Sequence, residues 1–154
     1  MLTVKSTTLS SFAMASALLL AACNTTSKSE QPEMVSNWSA ITGKNWQLSM
    51  VVDGNETLAP MSPVLASANF TADSKVVGST GCNRYFGTYE ENDGKLKLSP
   101  LGATQMMCVE DAMAIENAFN NAMEMVSDWQ LTKDALVLSD TNGKPIMEFV
   151  PITP

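Results

Sequence analysis

Between Asn45 and Phe149 the chain alternates short apolar runs of period two with turn dipeptides, and that pattern limits it to an antiparallel sheet folded on itself. Asn45 to Val52 carries Trp46, Leu48, Met50 and Val52 at alternate positions, the signature of a half-buried strand. Leu65 to Thr71, Lys75 to Ser79 and Tyr85 to Glu91 read as further strands. Lys95-Leu96-Lys97-Leu98 follows the strong turn signal Asp93-Gly94. Trp129–Leu131, Leu136–Leu138 and Ile146–Phe149 complete the set, with Asp140-Thr141-Asn142-Gly143 turning between the last two. Many short strands with regular turns point to a sandwich or a small barrel.

One segment breaks the pattern. From Val109 to Ser127 Gly and Pro vanish and Ala, Met and Glu accumulate, all good helix formers. Ile115, Phe119, Ala122 and Val126 share one helical face, with Met113 and Met123 widening it. Glu110 and Asp111 occupy the first turn, where the helix dipole favours anions. The expected fold class is therefore mainly β with one helix.

The first residues are not part of that fold. Lys5 is the only early charge, and the apolar run from Phe12 to Leu20 is too short to span a bilayer, which takes about 20 residues. It ends in Leu20-Ala21-Ala22-Cys23, small residues in the manner of a cleaved signal peptide. The tetrapeptide resembles a bacterial lipobox. That resemblance implies a signal peptide over residues 1–22, lipidation of Cys23, and attachment to a membrane through at least two acyl chains, the number stable anchoring requires. Residues 23–37 are rich in Ser, Thr, Asn and Gln and read as a flexible tether. Asn24 replaces the aspartate that resembles an inner-membrane retention signal, so the expected place is the periplasmic face of the outer membrane. Four Asn-X-Ser/Thr sites, at Asn24, Asn37, Asn55 and Asn69, would fit a secreted glycoprotein instead, but that pattern is short and common.

Residues 38–154 are the size of one domain. The whole chain carries a net charge of −7, and removing residues 1–22 removes only Lys5, which leaves −8. Such acidity argues against a nucleic-acid partner. Histidine is absent, so no Ser-His-Asp or Cys-His arrangement exists within one chain. The acid pairs Glu90/Glu91 and Glu110/Asp111 read as solvated surface rather than acid–base groups. No phosphate-cradling glycine loop is present, and no cofactor is expected. Met106, Met107, Met113, Met123 and Met125 gather around the helix; thioethers suit Cu(I), although methionine at helical spacing is more often core.

Cys82 and Cys108 remain once Cys23 is given to lipid. In an oxidising compartment an even pair suggests a disulfide, with two neighbouring reduced thiols as the alternative. They lack the Cys-X-X-Cys spacing of redox sites and make no four-ligand zinc set.

Around these cysteines the sequence resembles a known family. Gly81-Cys82-Asn83-Arg84-Tyr85-Phe86-Gly87-Thr88-Tyr89, then Leu101-Gly102-Ala103-Thr104-Gln105-Met106-Met107-Cys108, look like the META domain, whose members include HslJ-like heat-shock lipoproteins. The resemblance runs through Ile115–Phe119 to the Leu136–Phe149 tail and covers nearly everything after Trp38. It implies a compact antiparallel β-barrel-like domain with a helix packed against it, an envelope role under heat or antibiotic stress, and no catalytic residues.

The matching positions are Gly81, Cys82, Asn83, Arg84, Tyr85, Gly87, Thr104, Met107 and Cys108. Each has an ordinary structural reading: positive φ or a bulge at Gly81 and Gly87, a turn hydrogen bond at Asn83, a satisfied loop amide at Thr104, a filled core gap at Met107. Asn83, Arg84, Tyr85 and Thr104 are also the candidate binding surface, since Arg and Tyr are enriched at interfaces. The expectation is a non-enzymatic, lipid-anchored envelope protein with an unidentified protein or small-molecule partner. The alternative is a barrel holding a small molecule at its mouth, which an interior filled with side chains would oppose.

Overall fold

The structure, a computed structural model, describes residues 37–152. The expected signal peptide, Cys23 and all of the tether but Asn37 lie outside them. Within this range the strands are β1 (Asn45–Asp53), β2 (Glu56–Leu58), β3 (Ala66–Phe70), β4 (Lys75–Thr80), β5 (Arg84–Asn92), β6 (Lys95–Leu98), β7 (Gly102–Ala103), β8 (Asp128–Leu131), β9 (Leu136–Ser139) and β10 (Pro145–Pro151). Helix α1 (Glu110–Met125) stands between β7 and β8, and a short 3-10 turn, Trp38–Ala40, precedes β1.

Antiparallel pairing runs β1–β3–β4–β5–β6–β8–β9–β10, and β10 returns to β1, so eight strands close into a barrel. β2 folds back on β1 as a short hairpin arm, and β7 pairs only with β5. The mainly-β, one-helix architecture is as the periodicity indicates. β5 shows why: Tyr85 and Tyr89 are buried while Arg84, Phe86, Thr88 and Glu90 face out. Between β5 and β6 both Asp93 and Gly94 have positive φ, which suits the tight turn their sequence signals.

β1 departs from expectation. Trp46 and Leu48 point inward, but the next buried residue is Val51, leaving Met50 and Val52 half-buried. The pairing with β10 shifts between Leu48 and Met50. One extra residue there turns every later side chain to the other face. The Ser49 hydroxyl donates to the Glu148 carbonyl at 3.0 Å within this irregularity.

Aromatic side chains fill the interior from both ends. Phe119 on α1 lies 5.1 Å from the Tyr85 ring on β5 and 6.4 Å from the Phe149 ring on β10. Those strands are on opposite sides of the closed sheet, so Phe119 enters the barrel and spans it. Ala118 and Ala122 beside it are fully buried. Four residues further along β5, Tyr89 belongs to a second group in which Trp38 packs edge-on against Phe70, Tyr89 and Trp129 at 5.0–5.3 Å. The Trp38 indole donates to the Tyr89 hydroxyl, which donates to the Thr71 carbonyl at 2.7 Å. The 3-10 turn thus stops one mouth and the helix the other. Each buried aromatic contributes about 2–3 kcal/mol through area removed from water. Among the described residues, aromatic side chains therefore occupy the interior at both ends of the barrel. No described helix is long and apolar enough to cross a membrane.

Candidate functional site

The two sequence blocks that carry the family resemblance meet at the helix-bearing end. Cys82 precedes β5 and Cys108 precedes α1; their sulfurs are bonded, with Cα atoms 5.9 Å apart. Gly81 adopts φ +99, the left-handed turn that brings Cys82 round to the helix. Gly87 has no positive φ; it leaves room for the Leu101 side chain. A close approach also explains Gly78, opposite Tyr85, where a Cβ would strike the Ser67 carbonyl oxygen.

Asn83 sits at the centre, 3% exposed. Its side-chain oxygen accepts from the Met106 amide at 2.7 Å and from the Thr104 hydroxyl at 2.8 Å. Its side-chain nitrogen donates to the Met106 carbonyl at 3.2 Å and to both oxygens of Glu116 at 3.0 Å. The Met106 amide, which can only donate, fixes the orientation of the carboxamide. Thr104 completes the lacing: its hydroxyl accepts the Arg84 amide, and its own amide donates to the Arg84 carbonyl. Asn83 is therefore not a free surface group. It ties residues 104–106 and the helix to the start of β5.

Tyr85 corrects the expected binding surface. Its ring is 2% exposed, packed on Phe119, and its hydroxyl donates to the Ser67 carbonyl at 3.0 Å. The residue alternates inward in β5, so it belongs to the core; burial pushes its phenol far above the ordinary range. Arg84 is exposed, as is Thr104. Met107, expected in a core gap, is 95% exposed, and Met106 and Val109 are exposed beside it. Because Met106 is held by its backbone and Cys108 by its sulfur, the loop between them has no freedom to fold its side chains inward.

Of the five methionines near the helix, Met106, Met107 and Met113 line one groove with Asn117 and Asn120, whereas Met123 is buried. Among the described residues no cluster of three His, Cys, Asp or Glu could hold a metal ion. Glu116 belongs to this site although no sequence motif marks it. The signal was present, since it falls with Ala112, Ile115 and Phe119 on the buried face of α1, where an acid needs a partner. α1 has no side-chain N-cap at Val109, so the disulfide and the Asn83–Glu116 contact fix its first turns.

Solved structures share this fold. No curated protein matches the chain. The NMR structure of a protein from Burkholderia xenovorans is similar, with a TM-score of 0.67 at 22% identity, covering 95% of this chain and all of the other. A crystal structure of a DUF4847 family protein from Bacteroides vulgatus is similar at TM-score 0.54 and 14% identity, covering 73% of this chain and 95% of that one. At such identities these likenesses establish the fold alone. The family model for the META domain matches residues 39–151, and the chain belongs to that family.

Proposed function

We propose that this protein is a non-enzymatic, lipid-anchored envelope component that binds a partner through the pinned loop Thr104–Val109, and that this binding supports envelope tolerance to heat or antibiotic stress. The observation that carries the reading is Met107: a large apolar side chain 95% exposed on a loop clamped by a disulfide on one side and by Asn83 on the other. Rigid exposure of apolar surface costs hydration free energy, and such surface commonly marks an interaction site. The anchor rests on Leu20-Ala21-Ala22-Cys23. Support for the non-enzymatic part comes from the chain's lack of histidine and from the structural use of Asn83 and Tyr85.

The test has three arms. A palmitate analogue should label the wild type and not Cys23→Ser; equal labelling removes the anchor. A photo-crosslinking residue at 107 should capture one reproducible species in cells, and one at the exposed Glu56, on the β2 arm beside β1, should not. Capture at 107 that persists in Cys82→Ser/Cys108→Ser, or never occurs, removes the pinned loop as the binding element. A deletion strain with wild-type survival of heat and antibiotic removes the stress role.

A further inference from the structure

The pairing of β6 with β8 ends early. Lys95 faces Asp128, the Leu96 amide donates to the Ser127 carbonyl, and beyond that the strands diverge. The following chain keeps β5 on one side only. The Ser99 amide donates to the Thr88 carbonyl, Gly102 faces Phe86, and the Thr104 amide donates to the Arg84 carbonyl. In an antiparallel ladder alternate residues direct N–H and C=O to opposite sides. Leu98 and Ala103 therefore turn theirs away from β5, and among the described residues no strand pairs with them there.

What faces this edge is a groove rather than a strand. Leu98, Leu101 and Ala103 form one wall, and Asn120, Met123 and Glu124 of α1 form the other. The groove continues past Leu101, Ala103 and Asn120 to Met106, Met107, Met113 and Asn117. Its exposed ionisable lining residue is Glu124, since Glu116 is buried against Asn83, and no Lys or Arg lines it, in a chain of net charge −7.

We infer that this groove takes an extended, apolar and cationic polypeptide segment, which adds as a strand to the Leu98–Ala103 edge. An unpaired backbone edge is a template for an extended chain and for little else. Asn117 and Asn120, one helical turn apart, can both donate to and accept from the guest's outer edge. Methionine adapts its shape to varied apolar side chains, so the site would be tolerant of sequence. The exposed Glu124 carboxylate and the net negative charge of the chain select the charge. This inference names the partner class for the pinned loop proposed above and rests on that reading.

The probe is a short fluorescent peptide of alternating valine and lysine, added to the full chain in detergent micelles. Binding should perturb the Leu98, Ala103 and Asn120 amide resonances. N-methylation of alternate peptide amides, or glutamate in place of lysine, should weaken binding by about tenfold or more, the equivalent of at least about 1.4 kcal/mol. Asn120→Lys, on an incompletely buried helix position, should weaken it similarly, and Ala103→Pro removes the outward amide where that variant folds. Equal affinity for the N-methylated peptide, or perturbation confined to another face, overturns the proposal. So does dimerisation of the protein alone through this edge, or binding of anionic vesicles there in preference to the peptide. If these results are negative while the residue at 107 still captures its species in cells, the strand guest is wrong and the loop reading stands; if capture also fails, both fall.

Discussion

The side-chain nitrogen of Asn83 lies 3.0 Å from each carboxylate oxygen of Glu116, joining the first residues of β5 to the buried face of the helix. Glu116 is 6% exposed and forms no ion pair among the described residues, so Asn83 is its polar partner. Asn83→Ala would strand the carboxyl group and release the Met106 amide together. We expect a loss of about 3 kcal/mol, at the upper end for an orphaned buried polar group. Urea unfolding measures it. A loss within the range of ordinary surface substitutions, about 0.5 kcal/mol, would mean that the loop and helix hold their places without this residue.

Closing 26 residues between Cys82 and Cys108 restricts the unfolded chain, for which the loop-entropy relation gives about 3.5 kcal/mol. Reduction, or the double substitution Cys82→Ser/Cys108→Ser, should lower the unfolding midpoint accordingly. It should also loosen the helix start first, because α1 lacks a side-chain N-cap. Hydrogen exchange that speeds equally everywhere would argue against this local role.

Exposure ranks the methionines chemically. Met107 and Met61 are 95% and 78% exposed, Met106 is 58% exposed, and Met123 and Met147 are at 2% and 0%. Dilute peroxide should convert the first three to sulfoxides well before the last two, as peptide mapping by mass would reveal. The melting temperature should hold during that first phase, since Met107 contributes nothing to the core. Early oxidation of Met147 would contradict its burial.

Much of the barrel is legible in the sequence because a strand's facing has period two. Tyr85 and Tyr89, Leu136 and Leu138, and the Asp93-Gly94 turn can be placed from pattern alone. The helix is equally plain from Ile115 and Phe119 to Ala122, although it ends at Met125 and leaves Val126 just past its last turn. Illegible were events that one inserted residue decides, such as the shift after Leu48 that sends Met50 and Val52 off the core face. The two-residue strand β7 is likewise too short to carry any period, although its edge forms the groove wall. In the site itself, residue types suggested surface for Tyr85 and core for Met107, and both were reversed. Each reversal comes from long-range partners, Phe119 for the tyrosine and the Asn83 and Cys82 clamps for the methionine loop. Spacing along the chain does not encode such contacts.

Tyr85 offers an alkaline test. Burial raises its phenol far above the ordinary value of 10.0, and the unfolded chain has no such protection. Above about pH 10 the unfolded state releases this proton while the folded state keeps it, so stability falls as pH rises. The chain has two tyrosines. Phenolate absorbance should show Tyr85 ionising only together with unfolding, and Tyr85→Phe should remove that part of the alkaline transition. The same variant loses the hydrogen bond to the Ser67 carbonyl, a cost of about 1 kcal/mol at neutral pH. Free titration of Tyr85 in the folded protein would place its hydroxyl in solvent.

The acid limb tests the weakest seam of the barrel. β6 and β8 share one directly opposed pair, Lys95 and Asp128, and their side chains form an ion pair. The Lys95 ammonium holds the Asp128 carboxyl below its ordinary value of 3.8. Because the folded value is the lower one, the stabilisation is present above 3.8 and disappears as pH falls through the folded value. The ammonium is largely exposed, so the effect on global stability is small and its local consequence is the better readout. The Leu96 amide donates to the Ser127 carbonyl, and the Trp129 amide donates to the Gly94 carbonyl, across this seam. Lys95→Met should accelerate exchange of both amides at neutral pH and leave the Leu48 and Phe149 amides on the β1–β10 side unchanged. In acid the wild type should approach the variant's behaviour as Asp128 takes up its proton. Unchanged protection in Lys95→Met would show that backbone pairing alone closes the seam.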